Sequence, residues 1–151
     1  MRFETPFGPA WAAVDNSGAV NAFNFGEGDG GGSNPEVARQ IGEFFAGKRD
    51  GFDFPLAPKG TPFQKLVWGE LVKIPFGETI SYGELARRIG NPAASRAVGR
   101  ANATNPIAVI VPCHRVIGAN GKLTGYAGGI ELKDKLIAWE RAVKSATAMV
   151  S

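Results

Sequence analysis

The sequence predicts a mixed α/β (α+β) fold in two lobes, and three patterns support this prediction. The first 25 residues alternate apolar and polar side chains around a turn at DNSG, which is typical of a small antiparallel β-sheet. After residue 60, apolar residues recur mostly at helical spacing. The charge also changes there: residues 1–60 carry five Lys/Arg and eight Asp/Glu, net −3, and residues 61–151 carry twelve and six, net +6. We therefore expect an N-terminal lobe, 1–60, with a small sheet and a helix, and a mostly helical C-terminal lobe, 61–151.

The first lobe is predicted to hold two strands, at 11–14 and 19–25, and one helix. The glycine-rich segment GEGDGGGS is predicted to be a flexible loop. It is a linker and not a phosphate-binding loop, because it lacks the Lys-Ser/Thr that such a loop carries. Asn34 is then a capping residue, Pro35 takes the first helical position, and Gly47 closes the pattern, so a helix is expected between them. The segment DGFDFPLAPKG is expected to form a strand remnant and a connector ending near Gly60.

The second lobe is expected to open with a buried helix at TPFQKLVWGELVKI, capped by Thr61. The apolar face predicted for this helix consists of Phe63, Leu66, Val67, Leu71 and Ile74. Ser81 is predicted to cap a short helix, YGELARRI, that ends at Gly90, and a further helix, SRAVGRAN, follows a tight turn. These two short helices have the form of a helix-turn-helix.

The second helix of this pair carries Arg96 and Arg100 among very small residues. Those small residues are Ala93, Ala94, Ala97, Gly99 and Ala101. They allow close approach to nucleic acid, but packing against the preceding helix explains Ala97 and Ala101 equally well. No acidic residue occurs from position 85 to 130, whereas six basic residues do: Arg87, Arg88, Arg96, Arg100, Arg115 and Lys122. A polyanion such as nucleic acid is the natural ligand of such a surface.

The only cysteine and the only histidine of the chain are neighbours, Cys113 and His114. The apolar run NPIAVIVP is predicted to be a buried strand that leads into them. One cysteine forms no internal disulfide, and one residue of each type is too few for zinc, so no metal site is expected. Adjacent residues of an extended chain point to opposite faces, so the thiol and the imidazole would meet only at a bend or through a bridging water.

The segment HRVIGANGKLTGYAGG is predicted to form a strand, a turn and a loop, and IELKDKLIAWERAV to form the terminal helix. The apolar stripe expected on that helix is Leu132, Leu136, Trp139 and Val143. Glu140 lies at the edge of the stripe and needs a partner, either His114 or, at the surface, Arg141 or Lys144. A histidine whose far nitrogen is held by a carboxylate can take the proton of a thiol and activate it. A papain-like hydrolase is disfavoured, because its cysteine and histidine come from distant parts of the chain.

Taken together, these segments resemble the O6-alkylguanine-DNA alkyltransferases, the methylated-DNA-protein-cysteine methyltransferases. The resemblance covers roughly residues 61–144 and rests on SYGELA, SRAVGRAN, NPIAVIVP, PCHRVIG, GYAGG and the Glu140 helix, in this order and spacing. It implies direct reversal of DNA damage without a cofactor. An alkylated nucleotide is flipped out of duplex DNA, and the alkyl group of O6-alkylguanine or O4-alkylthymine passes to a cysteine in a single-use reaction.

The resemblance also implies a role for each matching residue. Cys113 is the alkyl acceptor, His114 is the base acting through water, and Glu140 orients His114. Asn105 links the second helix of the pair to the active-site strand. The implied DNA contacts are Arg96, which enters the base stack, Tyr82, which crowds the phosphate beside the lesion, and Ser81, Ala94, Ala97, Gly99 and Arg100. The implied walls of the guanine pocket are Pro112, Val116, Tyr126, Ala127, Gly128 and Gly129.

Two departures from relatives matter. The zinc ligands that some of them carry in the N-terminal lobe are missing, and Ala127 stands where some have a serine, which changes hydrogen bonding in the pocket.

The implied partner is double-stranded DNA containing O6-alkylguanine, bound through the minor groove by a monomer. The start MRFETPFGPAW has no apolar signal core, and no run approaches the ~18 residues of a membrane span, so we expect a cytoplasmic protein without membrane contact.

Two other classes of protein stay open. A non-catalytic alkyltransferase-like protein would bind the lesion without reacting, but such relatives commonly replace the cysteine, whereas Cys113 is present in this chain. A helix-turn-helix transcription regulator would need polar base-reading side chains on its second helix, which in this chain is mostly alanine and glycine.

Overall fold

The computed structural model describes residues 1–121, 126 and 128–150, and for 149 and 150 it describes the backbone alone. Two compact units emerge: Met1–Lys59 with Pro106–Ile110, and Gly60–Asn105 with Val111–Ser151. The expected division at residue 60 put Pro106–Ile110 in the second lobe, whereas the structure groups this segment with the first unit. The reason is main-chain pairing with Phe23, whose N–H donates to Pro106 O at 3.0 Å and whose carbonyl accepts from Ala108 N at 2.9 Å.

The first unit is built on a three-stranded antiparallel sheet in the order β1 (Arg2–Thr5), β2 (Gly8–Val14), β3 (Val20–Phe25). The edge strand β1 did not emerge from the sequence, because four residues are too few to establish a period. Helix α1 (Pro35–Phe45) follows as predicted, with the Asn34 side chain accepting from Glu36 N at 3.1 Å. The aromatic core of this unit includes Phe23 and Phe44, both fully buried.

Among its described residues, the second unit contains four helices and a two-stranded parallel sheet. Its elements in chain order are α2 (Pro62–Leu71), β4 (Ile80–Ser81), α3 (Tyr82–Arg88), a 3₁₀ turn (Pro92–Ala94), α4 (Ser95–Ala103), a second 3₁₀ turn (Cys113–Arg115), β5 (Val116–Ile117) and α5 (Ile130–Val150). Strand β4 pairs with β5 and so brings the start of α3 beside the residues that follow Cys113. None of the helices, within the part of the chain that the structure describes, is long and apolar enough to cross a membrane.

Helix α2 has the predicted cap, and Val67, Leu71 and Ile74 of the predicted apolar face are buried. Thr61 and Gln64 form a reciprocal capping box. Leu66, expected to be buried, is 53% exposed, while Trp68 is buried in its place. The indole Nε1 of Trp68 donates to Ala101 O at 2.8 Å. This hydrogen bond and the large apolar ring favour burial of Trp68, so the side of α2 that carries Val67 and Trp68 faces the interior.

The run before Cys113 is buried as predicted but does not form a strand. Only Ile107 pairs, in a single bridge with Phe23. Val109 has a φ of 66°, rare for a β-branched residue, and Ile110 N donates to Ala108 O at 2.7 Å, which closes a γ-turn. The chain therefore reverses at Val109, and hydrophobicity alone does not distinguish a buried turn from a buried strand.

Helix α5 runs to Val150 and buries a face shifted from the predicted stripe. Leu136 is fully buried as expected, but Leu132, Trp139 and Val143 are only half-buried. The other buried positions of the face are Lys133, Ile137 and Glu140. Two charged residues thus occupy the face on which the sequence placed apolar side chains, because their partners lie inside the second unit.

Candidate active site

The helix pair α3 and α4 presents basic side chains beside small ones. The Ser81 hydroxyl accepts from Glu84 N at 3.0 Å and caps α3, which is a structural role for a predicted DNA contact. Arg96 and Arg100 on α4 are exposed. Ala101 is buried, which identifies it as a packing residue.

Tyr82 lies at the start of α3 against the small-residue surface of α4. A Cβ atom on Gly99 would lie 3.9 Å from the Tyr82 ring, so glycine leaves ordinary van der Waals space there. Ala94, Ala97 and Gly99 are all half-buried. Because these residues are small and partly exposed beside Arg96 and Arg100, α4 presents a positively charged surface with few bulky side chains.

Two asparagine side chains bind main-chain carbonyls on either side of Pro112. Asn105 Nδ2 donates to Val111 O at 2.8 Å, and Asn102 Nδ2 donates to Cys113 O at 3.2 Å. Sequence reasoning identified Asn105 but missed Asn102, which lies one turn earlier on α4. The Asn102 bond therefore joins the helix that carries Arg96 to the turn that carries the cysteine, and the Asn105 bond, from two residues past the end of that helix, holds the segment that leads into this turn.

Cys113 and His114 lie in a 3₁₀ turn, so the bend that their adjacency requires is present. The thiol is 5% exposed and the imidazole is completely buried. Burial raises the pKa of the Cys113 thiol, while a hydrogen bond from Asn105 and the positive charge of Lys133 act in the opposite direction. The thiol is therefore protonated at rest and needs a base.

The predicted partner of His114 is Glu140, and their side chains meet in the interior. His114 Nε2 lies 2.7 Å from Glu140 Oε2. Burial opposes ionisation of Glu140, but hydrogen bonds from His114 and Arg115 outweigh it and hold the pKa of this carboxyl at about 2. An ionised carboxylate only accepts, so the proton of the neutral imidazole resides on Nε2.

The other imidazole nitrogen is left with a lone pair. Among the described residues, His114 Nδ1 has no hydrogen-bond partner and is buried. Burial lowers the pKa of His114 and outweighs the opposing effect of Glu140, so the ring is neutral at rest. A buried, neutral imidazole with a carboxylate on its far nitrogen is an arrangement able to accept a proton.

Two buried cations at this site were missed by sequence reasoning. Arg115, which the charge pattern assigned to the DNA-facing surface, is only 6% exposed and binds Glu140 through Nε and Nη2 at 2.8 and 2.9 Å. Lys133 is fully buried, with its Nζ 5.7 Å from the centre of the Tyr82 ring. The available signal for Lys133 was its spacing: seven residues, two helical turns, separate it from Glu140 on one face of α5.

The predicted pocket residues fall into two groups. Pro112 and Val116 are buried, and so is the Tyr126 hydroxyl, which has no hydrogen-bond partner within the described residues. Burial, with the charges of Cys113 and Glu140, raises the pKa of Tyr126 well above its usual value. Gly128 and Gly129 are exposed, and a Cβ on Gly128 would clash with Leu132 Cδ2 at 2.4 Å. Ala127 lies outside the described residues, as does Lys122.

No group of three or more His, Cys, Asp or Glu side chains able to hold a metal ion occurs among residues 1–121, 126 and 128–150.

Comparison with known proteins identifies relatives of this chain. Residues 62–142 match the family model of the 6-O-methylguanine DNA methyltransferase, DNA binding domain. A Methanosarcina acetivorans protein named methylated-DNA–protein-cysteine methyltransferase is 53% identical over 149 residues, which cover 91% of this chain and 95% of the relative. A protein of the same name from Mycolicibacterium paratuberculosis is 59% identical over 105 residues, covering 70% and 64% of the two chains.

A solved structure is also similar to this chain. The crystal structure of Mycobacterium tuberculosis OGT in complex with DNA superposes with a TM-score of 0.84 at 42% identity, covering 94% of this chain and 92% of that one.

Proposed function

This chain belongs to the 6-O-methylguanine DNA methyltransferase family and is a methylated-DNA–protein-cysteine methyltransferase that repairs DNA by alkyl transfer to cysteine, and we propose that Cys113 is the acceptor. Its substrates are proposed to be O6-alkylguanine and O4-alkylthymine, and each molecule acts once. The observation that carries this proposal is the 2.7 Å contact of His114 Nε2 with buried Glu140, directly beside the only cysteine of the chain.

The transfer is proposed to begin with removal of the thiol proton. His114 Nδ1 takes this proton from Cys113 through a water molecule, and Glu140 stabilises the resulting imidazolium through Nε2. The thiolate sulfur then attacks the alkyl carbon in line with the bond to the guanine oxygen. A carbon–sulfur bond forms, the carbon–oxygen bond breaks, and its electron pair remains on guanine. The imidazolium of His114 then gives up its extra proton to the guanine anion, so both His114 and the guanine end neutral.

The DNA is proposed to reach this site through α4. Arg96 and Arg100 are exposed on a helix whose other outward residues are small, and such a helix fits the narrow minor groove closely. Arg96 is proposed to fill the base stack after the damaged nucleotide flips out, and Tyr82 to favour flipping by crowding the neighbouring phosphate. The Asn105 and Asn102 bonds then place Cys113 at a fixed distance from the bound helix.

The guanine pocket is proposed to lie beside Cys113. Val116 and Pro112, both buried, are proposed to supply apolar walls, and Tyr126, whose hydroxyl is buried, is proposed to pack against the guanine base. The glycines at 128 and 129, together with Ala127, are proposed to complete the wall. A monomeric state and a cytoplasmic location, both expected from the sequence, stay predictions.

The proposed function is tested by single-turnover reaction with a duplex that contains one O6-methylguanine. Intact-mass measurement should show one added methyl group per molecule, located at Cys113 by peptide mapping. The Cys113→Ser variant should gain no mass yet still bind the damaged duplex, because the helix pair does not depend on the thiol. A wild-type protein that binds the lesion and gains no mass would instead support the non-catalytic lesion-binding alternative.

A further inference from the structure

We propose that Arg115 is a positioning residue of the transfer reaction: its guanidinium holds the Glu140 carboxylate in one orientation, so that His114 keeps its proton on Nε2 and presents Nδ1 to the thiol. The inference rests on the proposed function for its reaction, but it assigns a task to a residue that the relay of Cys113, His114 and Glu140 does not include.

The contacts of Arg115 are those of a clamp rather than of a surface charge. Nε donates to Glu140 Oε1 at 2.8 Å and Nη2 donates to Oε2 at 2.9 Å, so the pair is bidentate. The remaining nitrogen, Nη1, donates to Ile74 O at 2.7 Å, and the guanidinium carbon lies 5.6 Å from the centre of the Phe76 ring. The guanidinium is thus bound on both sides, and it fixes the plane of the carboxylate.

The clamp decides which donor each carboxylate oxygen receives. Oε1 accepts from Arg115 Nε and from Gly77 N, the latter at 3.1 Å. Oε2 accepts from Arg115 Nη2 and lies 2.7 Å from His114 Nε2. Rotation of the carboxylate would break the two parallel bonds to Arg115, so Oε2 stays aimed at the imidazole as an acceptor. His114 is thereby held in the tautomer whose Nδ1 is unprotonated.

Arg115 also sets the charge around the imidazole. The charged and titratable groups that face His114 are Glu140 and Lys133 from α5, and Arg115 and Cys113 from its own turn. Glu140 favours the imidazolium, whereas Arg115 and Lys133 disfavour it. Burial, together with the charges of Arg115 and Lys133, lowers the pKa of His114 in spite of Glu140, so His114 is uncharged before the reaction and remains available as the base.

The test uses the fact that the chain contains a single histidine. Long-range ¹H–¹⁵N correlation spectra then report the tautomer and the pKa of His114 without assignment ambiguity. The variants are Arg115→Lys, which keeps the charge but loses the fork, and Arg115→Met, which loses both. Arg141→Met is the matched control. Arg141 follows Glu140 in the sequence, but its side chain is exposed, and within the described residues its hydrogen bond goes to Thr79.

We expect the wild-type spectrum to show Nε2 protonated and Nδ1 unprotonated. Arg115→Lys should lower the single-turnover rate constant by about ten- to a hundredfold, the usual loss when the partner that orients a functional group is removed. Arg115→Met should raise the pKa of His114 by about one unit, since a cation that disfavours the imidazolium is gone. Arg141→Met should change none of these quantities. Wild-type rate and wild-type tautomer in Arg115→Lys would overturn the proposal.

A double-variant measurement keeps the test valid if Arg115→Met does not fold. The pair Arg115→Met/Glu140→Gln leaves neither charge buried alone. If Arg115 acts only by positioning Glu140, this pair should react within about twofold of Glu140→Gln alone, and a further tenfold loss would overturn the inference. Failure of the wild-type protein to gain a methyl group would refute the proposed function, while the tautomer spectra would still decide whether Arg115 positions Glu140.

Discussion

Replacement of Glu140 by glutamine changes one atom in the centre of the buried network. Four donors point at the carboxylate: two at Oε1, from Arg115 and Gly77, and two at Oε2, from Arg115 and His114. A carboxamide has one oxygen and one NH₂ group, so whichever way it turns, two of those donors face another donor. With the NH₂ toward His114, the imidazole is driven to place its proton on Nδ1, which removes the base.

The magnitude follows from the ionisation of Glu140. Its pKa is about 2 in the folded protein against an ordinary value of 4.5. This difference corresponds to ~3 kcal/mol of stability, present above pH ~4.5 and lost as the pH falls toward 2. Removing one partner of a buried ion pair costs a similar ~3–5 kcal/mol. For a chain of this length we expect the Tm of Glu140→Gln to fall by roughly 10 °C.

Alkyl transfer should fall further than stability alone explains. A general base contributes about 10²- to 10⁴-fold, so the single-turnover rate constant of folded Glu140→Gln should drop at least ~100-fold. The assay is rapid-quench transfer from a duplex with one O6-methylguanine, run well below the Tm of the variant. Glu131→Gln is the control, because that carboxylate lies on the same helix and its side chain is 87% exposed. A wild-type rate together with a wild-type Tm in Glu140→Gln would refute the relay.

Three further outcomes are expected. Lys133→Met should raise the pKa of the Cys113 thiol, because the charge of Lys133 lowers it, and should slow transfer at neutral pH with partial recovery at higher pH. The control Lys135→Met, at an exposed ion pair, should behave as wild type. Equal rates for the two variants at pH 7 would contradict this prediction. Arg96→Ala should weaken repair of duplex DNA more than reaction with free O6-benzylguanine, and equal losses would indicate a role in the fold instead. Alkylation of Cys113 should lower the Tm by several degrees in scanning fluorimetry, since overpacking a buried site costs ~1–3 kcal/mol; an unchanged or higher Tm would exclude strain at the thiol.

Local chemistry was enough to predict where helices begin and that Glu140 needs a partner. Caps at Asn34, Thr61 and Ser81 mark where helices begin, because the free N–H groups of a first turn need an acceptor whatever lies elsewhere in the fold. A carboxylate near an apolar helix face needs a partner, so the sequence predicted that Glu140 pairs either with His114 or with Arg141 or Lys144. The structure shows the contact with His114.

Tertiary structure alone decided how the buried charges are shared. Arg115 belongs by sequence to a run of basic residues, and nothing in its local pattern distinguishes it from exposed neighbours. Lys133 belongs to a helix rich in charged residues, where only its spacing of two turns from Glu140 sets it apart. Their burial depends on Glu140, Ile74 and Tyr82, which come from other segments of the chain. The γ-turn at Val109 is decided in the same way, since hydrophobicity records that a segment is buried and not which main-chain groups it meets. A sequence specifies which groups need partners, and only the folded chain assigns those partners, because each assignment is a contact between residues distant along the sequence.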